Sequence, residues 1–238
     1  MNNFPIQTTE HRKIRVGRNN DGGYVICDIP SIQYDLLISG GIQDDISFEE
    51  AFLQKYPGVQ CFAFDGTIDN IPQTQFPIQF VKKNIGRNST NTVTNLKEYM
   101  VGKNNIFMKM DIEGYERDLF LTLEESDLLK LAQITIEVHL VPAKTVVSTK
   151  LKDTHYLVHF HSNNASSKLD SDGIPMFIEL TYVRKDLCKN VEPSTYPIPN
   201  SELDMKNVLS LPDILYVGGR FIKEPSSHRF NVLTGRVG

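Results

Sequence analysis

In the run MKMDIEGYE (108–116), three carboxylates, Asp111, Glu113 and Glu116, crowd the end of an apolar stretch that includes Ile106, Phe107, Met108 and Met110. An unpaired charge beside buried side chains is costly, so Asp111 needs a partner. One candidate is a helix beginning near Tyr115, which Asp111 would cap while Glu113 sits at its positive end. The other is a cationic ligand. The residues that close the remaining apolar runs are of similar kind: Ser39-Gly40-Gly41, Asp65, His139, and His161-Ser162-Asn163-Asn164.

Each of these has a definable chemistry. Gly40 and Gly41 permit a tight turn and close approach of backbone to a ligand. Their context, SGGIQDD, lacks the G-x-G-x-x-G fingerprint, and Asp44 and Asp45 stand where a pyrophosphate needs a bare helix N-terminus. Asp65 follows at the distance where an acid reaches the hydroxyls of a ribose; its alternative is to close the turn in DGT. His139 and His161 are imidazoles that titrate near neutral pH and suit a general base, although strand histidines are commonly structural. His159 and His161 flank Phe160 and share one face of their strand. Asn163 and Asn164 offer hydrogen bonds to a hydroxylated substrate or serve as turn residues. Asp111, His139, His161 and Asn163 would make a mixed oxygen and nitrogen metal site. Magnesium is disfavoured there, because it prefers oxygen and no carboxylate pair stands at clear ligand spacing.

The elements that must position these groups follow from the pattern of apolar runs. Strands are expected over YDLLIS (34–39), VQCFAFD (59–65), IQFVKKNIG (78–86), NIFMKMDI (105–112), AQITIEVHL (132–140), YLVHFHS (156–162) and MFIELTYV (176–183). Such runs suit a sheet covered on both faces. Helical patterns lie at 44–56, 92–102 and 115–131. Strand and helix in alternation predict an α/β fold, a single Rossmann-like, doubly wound and mostly parallel sheet ending in an antiparallel strand pair. The core is expected over about 12–185. Residues 186–238 are read as a surface excursion, rich in Pro, Ser and Asn, with an edge or capping strand at 214–221. DGGYVI (21–26) reads as a hairpin turn, or as a lid over a ligand.

On that sheet all the strand-end groups share the carboxyl edge, where open α/β sheets bind ligands. The glycine turn and Asp65 together outline an adenosine pocket. A carboxylate at Asp111 beside it is best satisfied by a cation, and S-adenosylmethionine carries both an ammonium and a sulfonium.

The 238 residues, with 40% hydrophobic and 23% charged side chains, fit a folded domain rather than a disordered chain. A net charge of −4 advertises no nucleic-acid surface. No run approaches the roughly 20 apolar residues of a membrane span. The polar N-terminus and three scattered cysteines (Cys27, Cys61, Cys188) suggest a cytoplasmic setting without disulfides.

FMKMDIEGYE resembles the signature of the FkbM-like family of S-adenosylmethionine-dependent methyltransferases. TIEVHL (135–140) is similar to that family's next strand, which ends in a Glu and a His; DGGYVI, GIQDDISFE and HFHSNN resemble a eukaryotic and viral branch. The resemblance spans roughly residues 12–185 and departs at ISGGIQDD. It implies a class I methyltransferase fold and methylation of a hydroxyl oxygen on a small-molecule, sugar or glycan acceptor. Gly40, Gly41, Asp45, Asp65, Asp111 and Glu113 would then hold the cofactor, and Glu137, Asn163 and Asn164 the substrate. His139, His161 and Asp111 would act at the reacting atoms. Two other readings compete. Tyr99 and Lys103 match the Tyr-x-x-x-Lys of short-chain NAD(P) oxidoreductases, but they precede the central strand and lack a nicotinamide fingerprint. A scaffold that binds the cofactor without catalysis is the second.

Overall fold

The computed structural model describes residues 4–139 and 141–225. A hairpin comes first, β1 (Arg12–Val16) and β2 (Tyr24–Asp28), paired antiparallel. Then follow β3 (Leu36–Gly40), α1 (Ser47–Lys55), β4 (Gln60–Phe64) and β5 (Ile78–Val81). The chain continues through β6 (Ile106–Met110), α2 (Glu116–Thr122), α3 (Glu125–Leu128) and β7 (Leu131–His139). It ends with α4 (Val141–Leu151), β8 (His155–Ser162), β9 (Phe177–Arg184) and a hairpin of β10 (Ile214–Val217) and β11 (Arg220–Lys223).

Seven strands form the central sheet in the order β8-β9-β7-β6-β3-β4-β5. The pairs from β7 to β5 are parallel, and β9 runs antiparallel between β7 and β8. The expected α/β, Rossmann-like class therefore holds, with its antiparallel component supplied by β9. From β3 the chain winds outward to β4 and β5, then returns to β6 on the other side. The strand order thus reverses between β3 and β6, which opens a crevice at their carboxyl ends.

β6 shows why the run IFMKM forms a central strand. Phe107 packs against Phe48, Phe52 and Tyr34 on one face, while Ile106, Met108 and Met110 join Leu119, Phe120 and Ile136 on the other. Alternate side chains feed two separate cores, so nothing in the strand is left exposed. Burying a Phe of this kind is worth roughly 2–3 kcal/mol.

Several expected elements differ. Residues 92–102 form only a short 3-10 turn at Lys97–Met100, because Val93–Thr94 pairs as a strand with Asn84–Ile85 and Thr94 Oγ1 accepts the Leu96 N–H. Such side-chain bonds compete with helix formation. The helix expected over 115–131 breaks at Leu123, whose ψ is 128°, because Glu124 and Asp127 build a capping box that starts α3. α4 was not foreseen, although Ala143, Val147 and Leu151 are buried at a spacing of four. β10 and β11 form a sheet of their own and cap the core by stacking Phe221 on Phe160 of β8, with ring centroids 5.5 Å apart. Among the described residues, no helix is long and apolar enough to cross a membrane. Leu140 and His228 lie outside the described residues.

Candidate functional site

A cleft of about 410 Å³ opens at the carboxyl ends of β3, β6 and β7, at the switch point. Its floor is set by Gly41, with φ +71°, where a Cβ would stand 1.5 Å from the carbonyl oxygen of Asp111. The ends of β3 and β6 can approach this closely only because residue 41 lacks a side chain. The Asp111 N–H donates to the Gly40 carbonyl at 3.0 Å, and the Lys109 ammonium donates to the Gly41 carbonyl at 3.0 Å. A second cavity of about 450 Å³ lies against α4 and the start of β8, near Lys144 and Lys152. Its acids and imidazole, Asp170, Asp172 and His155, stand among Lys144, Lys152 and Lys185, and Lys144 already pairs with Asp170 at 3.2 Å, so the unpaired strand-end chemistry belongs to the first.

The MDIEG turn after β6 is tightly wound. Glu113, a non-glycine residue, has φ +53°, and Gly114 follows at +98°. A left-handed conformation at a non-glycine costs about 1–2 kcal/mol and tends to persist at functional sites. Here it turns Glu113, 68% exposed, over the cleft and brings Glu116 back under it. Fully buried Glu116 accepts the Gly114 N–H at 3.1 Å and faces His139 Nδ1 at 3.0 Å. The sequence reading of Asp111 as the cap of the helix does not hold, since α2 has no side-chain cap bond. Asp111 instead accepts the Tyr24 hydroxyl on Oδ2 at 3.1 Å, while its Oδ1 is buried without a hydrogen-bond partner.

His139 ends β7 with Nδ1 fixed by Glu116. Its Nε2 looks into the cleft, 3.5 Å from Glu113 Oε2, 3.6 Å from Glu137 Oε1 and 4.0 Å from Asp111 Oδ1. Burial disfavours its protonation, but the Glu116 hydrogen bond and the surrounding carboxylates outweigh it and raise its pKa. Burial, reinforced by Glu113, raises the pKa of Asp111. Burial and then the charges of Asp111 and Glu179 raise that of Glu137 well above the usual range. The lining thus gathers more carboxyl groups than cationic side chains.

A seam of polar residues continues from here across the sheet. Glu137 of β7 sits directly opposite Glu179 of β9, which sits opposite His161 of β8. Like charges in register repel, and each carboxylate is therefore held separately. Asn163 Nδ2 donates to Glu137 Oε1 at 2.8 Å; His161 Nδ1 and Asn207 Nδ2 hold Glu179 at 3.0 and 2.6 Å. Asn207 also donates to Asp21 at 3.1 Å, which ties the C-terminal segment to the DGGYVI turn.

Of the residues singled out in the sequence, Gly41, Asp45, Asp111, Glu113, Glu137, His139 and Asn163 line this cleft. Asp45 accepts the Ser47 N–H at 2.9 Å and pairs with Arg18 at 3.2 Å, so it also anchors α1. Gly40 lies beneath the floor, packed on Ile85 and Met110. The structure places four of the expected groupings differently. Asp65 is absent from the lining; its oxygens accept the N–H groups of Gln43 and Thr67 and the Thr67 hydroxyl, so it closes the DGT turn instead of facing a ribose. His161 does not stand beside His139, because β9 lies between their strands and buries His161 against Glu179. The set at ligand distance around Asp111 and His139 takes in Glu137 and not His161, and Asn163 spends its side chain on Glu137 and the Ala165 N–H. Asn164 spends its amide on the carbonyls of Val208 and Leu211 and on the Val208 N–H, pinning the C-terminal segment. Tyr24, Lys109 and Asn207 were missed, although Tyr24 lies in DGGYVI and Lys109 in MKMDIEGYE, two motifs that had drawn notice.

No family model matches the chain, and no curated protein matches it. The resemblance to the FkbM-like family rests on the sequence motifs alone. Among solved structures, the chain is similar in part to the plantazolicin methyltransferase BpumL in complex with SAH, at 6% identity and a TM-score of 0.37, over 66% of this chain and 78% of that one. It is similar to a protein from Thermoplasma acidophilum, assigned provisionally as a methyltransferase, at 8% identity and a TM-score of 0.31, over 64% and 68% of the two chains.

Proposed function

We propose that the chain transfers a methyl group from S-adenosylmethionine to a hydroxyl oxygen, with a sugar or glycan as acceptor. The observation that carries the reading is the charge of the cleft at the switch point. Asp44, Asp45, Asp111, Glu113 and Glu137 line it, against Arg18 and Lys109. A phosphate-bearing dinucleotide would be repelled from such a lining, whereas a ligand with a sulfonium and an ammonium would be attracted. Glycine at 41 lets the ends of β3 and β6 close together beneath that ligand. The acceptor class comes from the MDIEGYE and TIEVHL motifs, whose resemblance points to hydroxyl methylation.

In this reading the carbon–sulfur bond breaks as the carbon–oxygen bond forms, and the hydroxyl proton must leave. His139 marks the end of the cleft where that proton is handled, since it is the imidazole whose free nitrogen faces the cavity. The role expected of Asp65 in holding a ribose passes to no single residue.

Calorimetric titration and thermal unfolding with S-adenosylhomocysteine test the cofactor assignment. A ligand at a hundred times its dissociation constant should stabilise the fold by about 2.7 kcal/mol, and NAD should leave it unmoved. No stabilisation by millimolar S-adenosylhomocysteine would overturn the proposal in favour of a different cationic ligand.

A further inference from the structure

Three side chains from two neighbouring strand ends converge inside the cleft. One potential ligand atom each from Asp111, Glu137 and His139 lies within 4.8 Å of the other two. We infer that Asp111, Glu137 and His139 bind a divalent first-row cation, with His139 Nε2 as its nitrogen ligand. The sequence concealed this set, because Asp111 and Glu137 come from different strands and meet only through the parallel register that places Met110 beside Ile136.

Geometry carries the inference. The gaps around His139 Nε2, 3.6 Å to Glu137 and 4.0 Å to Asp111, are too wide for hydrogen bonds. They do fit two ligands sharing one ion: with bonds of roughly 2.1 Å, ligand atoms stand about 3.0–4.2 Å apart. Two further observations point to a missing positive partner. Asp111 Oδ1 is buried and receives no hydrogen bond. Glu137 is only 5% exposed; Asn163 holds its Oε1, and among the described residues no donor reaches its Oε2. Lys109, which lines the cleft, makes no ion pair within 4.0 Å among the described residues and spends a hydrogen bond on the Gly41 carbonyl.

The surrounding layer has the form that metal-bound imidazoles need. Glu116 on Nδ1 fixes the ring and leaves Nε2 with its lone pair toward the cavity, a carboxylate–histidine arrangement that raises ligand basicity. Asn163 orients Glu137, and Tyr24 orients Asp111. Two carboxylates with one imidazole suit Mn²⁺ or Fe²⁺ better than Mg²⁺, which prefers oxygen alone. With the cation present, His139 is a ligand and not a free base, and a hydroxyl bound to the ion would be acidified by it.

Binding of the cation does not depend on the methyl-transfer reading, so the test contains no adenosyl compound. Protein stripped with chelator and dialysed is titrated with Mn²⁺, and free aquo-Mn²⁺ is followed by electron paramagnetic resonance. One equivalent per chain should be taken up. Asp111→Asn and Glu137→Gln should each weaken uptake by at least about 100-fold, and Glu116→Gln, which acts through the ring, by about 10- to 100-fold. Circular dichroism identifies any variant that fails to fold, and the folded ones decide. Absence of stoichiometric uptake by the wild type, or uptake unchanged in folded Asp111→Asn or Glu137→Gln, would overturn the inference and leave a protonated His139 as the balancing charge.

Discussion

Two buried histidines at opposite ends of β8 should give the stability of this fold a bell-shaped dependence on pH. His155, at the start of the strand, faces the Leu131 carbonyl with Nε2 at 2.8 Å and Thr154 Oγ1 with Nδ1 at 2.8 Å. The carbonyl can only accept, so Nε2 carries the proton and the neutral ring is fully satisfied. Burial pushes its pKa down to about 4, from an ordinary 6.5. The unfolded chain therefore binds the extra proton first, and stability is lost as pH falls from about 6.5 toward 4. His161, near the end of the strand, is also penalised by burial, but the Glu179 carboxylate more than reverses this and lifts its pKa to about 9. Here the folded state binds the proton first, and stability is lost as pH rises from about 6.5 toward 9. Each gap of some 2.5 units corresponds to roughly 3 kcal/mol. Urea unfolding of the wild type, His155→Gln and His161→Asn across pH 4–9 isolates the two effects. The advantage of wild type over His155→Gln should shrink by about 3 kcal/mol on acidification from pH 6.5 to 4. Its advantage over His161→Asn should shrink by a similar amount from pH 6.5 to 9. A difference that stays level with pH in either pair would refute the reasoning for that histidine.

Replacing His139 by alanine should lower methyl transfer by about 100- to 10,000-fold, with little change in S-adenosylhomocysteine affinity measured by calorimetry. Gly41→Ala should cost at least roughly 1–2 kcal/mol in urea unfolding and abolish cofactor binding, because the new Cβ meets the Asp111 carbonyl in a left-handed backbone. Asn164→Ala releases residues 208–211 and should cost about 1–3 kcal/mol while accelerating limited proteolysis there.

The sheet was legible because parallel strands buried on both faces must be apolar along their whole length, and seven such runs stand out. The carboxyl-edge position of Asp111 and His139 followed from the same logic. What could not be read was lateral order. Placing His161 beside His139 assumed that β7 and β8 are neighbours, but β9 inserts between them and sets the two imidazoles roughly 10 Å apart at the strand spacing of the sheet. The pairing of Asp111 with Glu137 is likewise a matter of register, invisible in either segment alone. Asp65 shows a different limit: the motif DGT supports both a ribose contact and a turn, and only the Gln43 and Thr67 donors show which one its oxygens serve.

Asn207 joins Glu179, 28 positions earlier, to Asp21, 186 positions earlier. The wall of the cleft is thus closed by segments that meet late in any folding sequence, since contacts between distant positions form slowly. A chain ending near residue 185 holds every strand of the central sheet and yet leaves Glu179 facing Glu137 with one fewer donor between them. A domain boundary drawn where the central sheet ends would pass through the site, and a fragment cut there should be judged by ligand binding and not by its helical and sheet content.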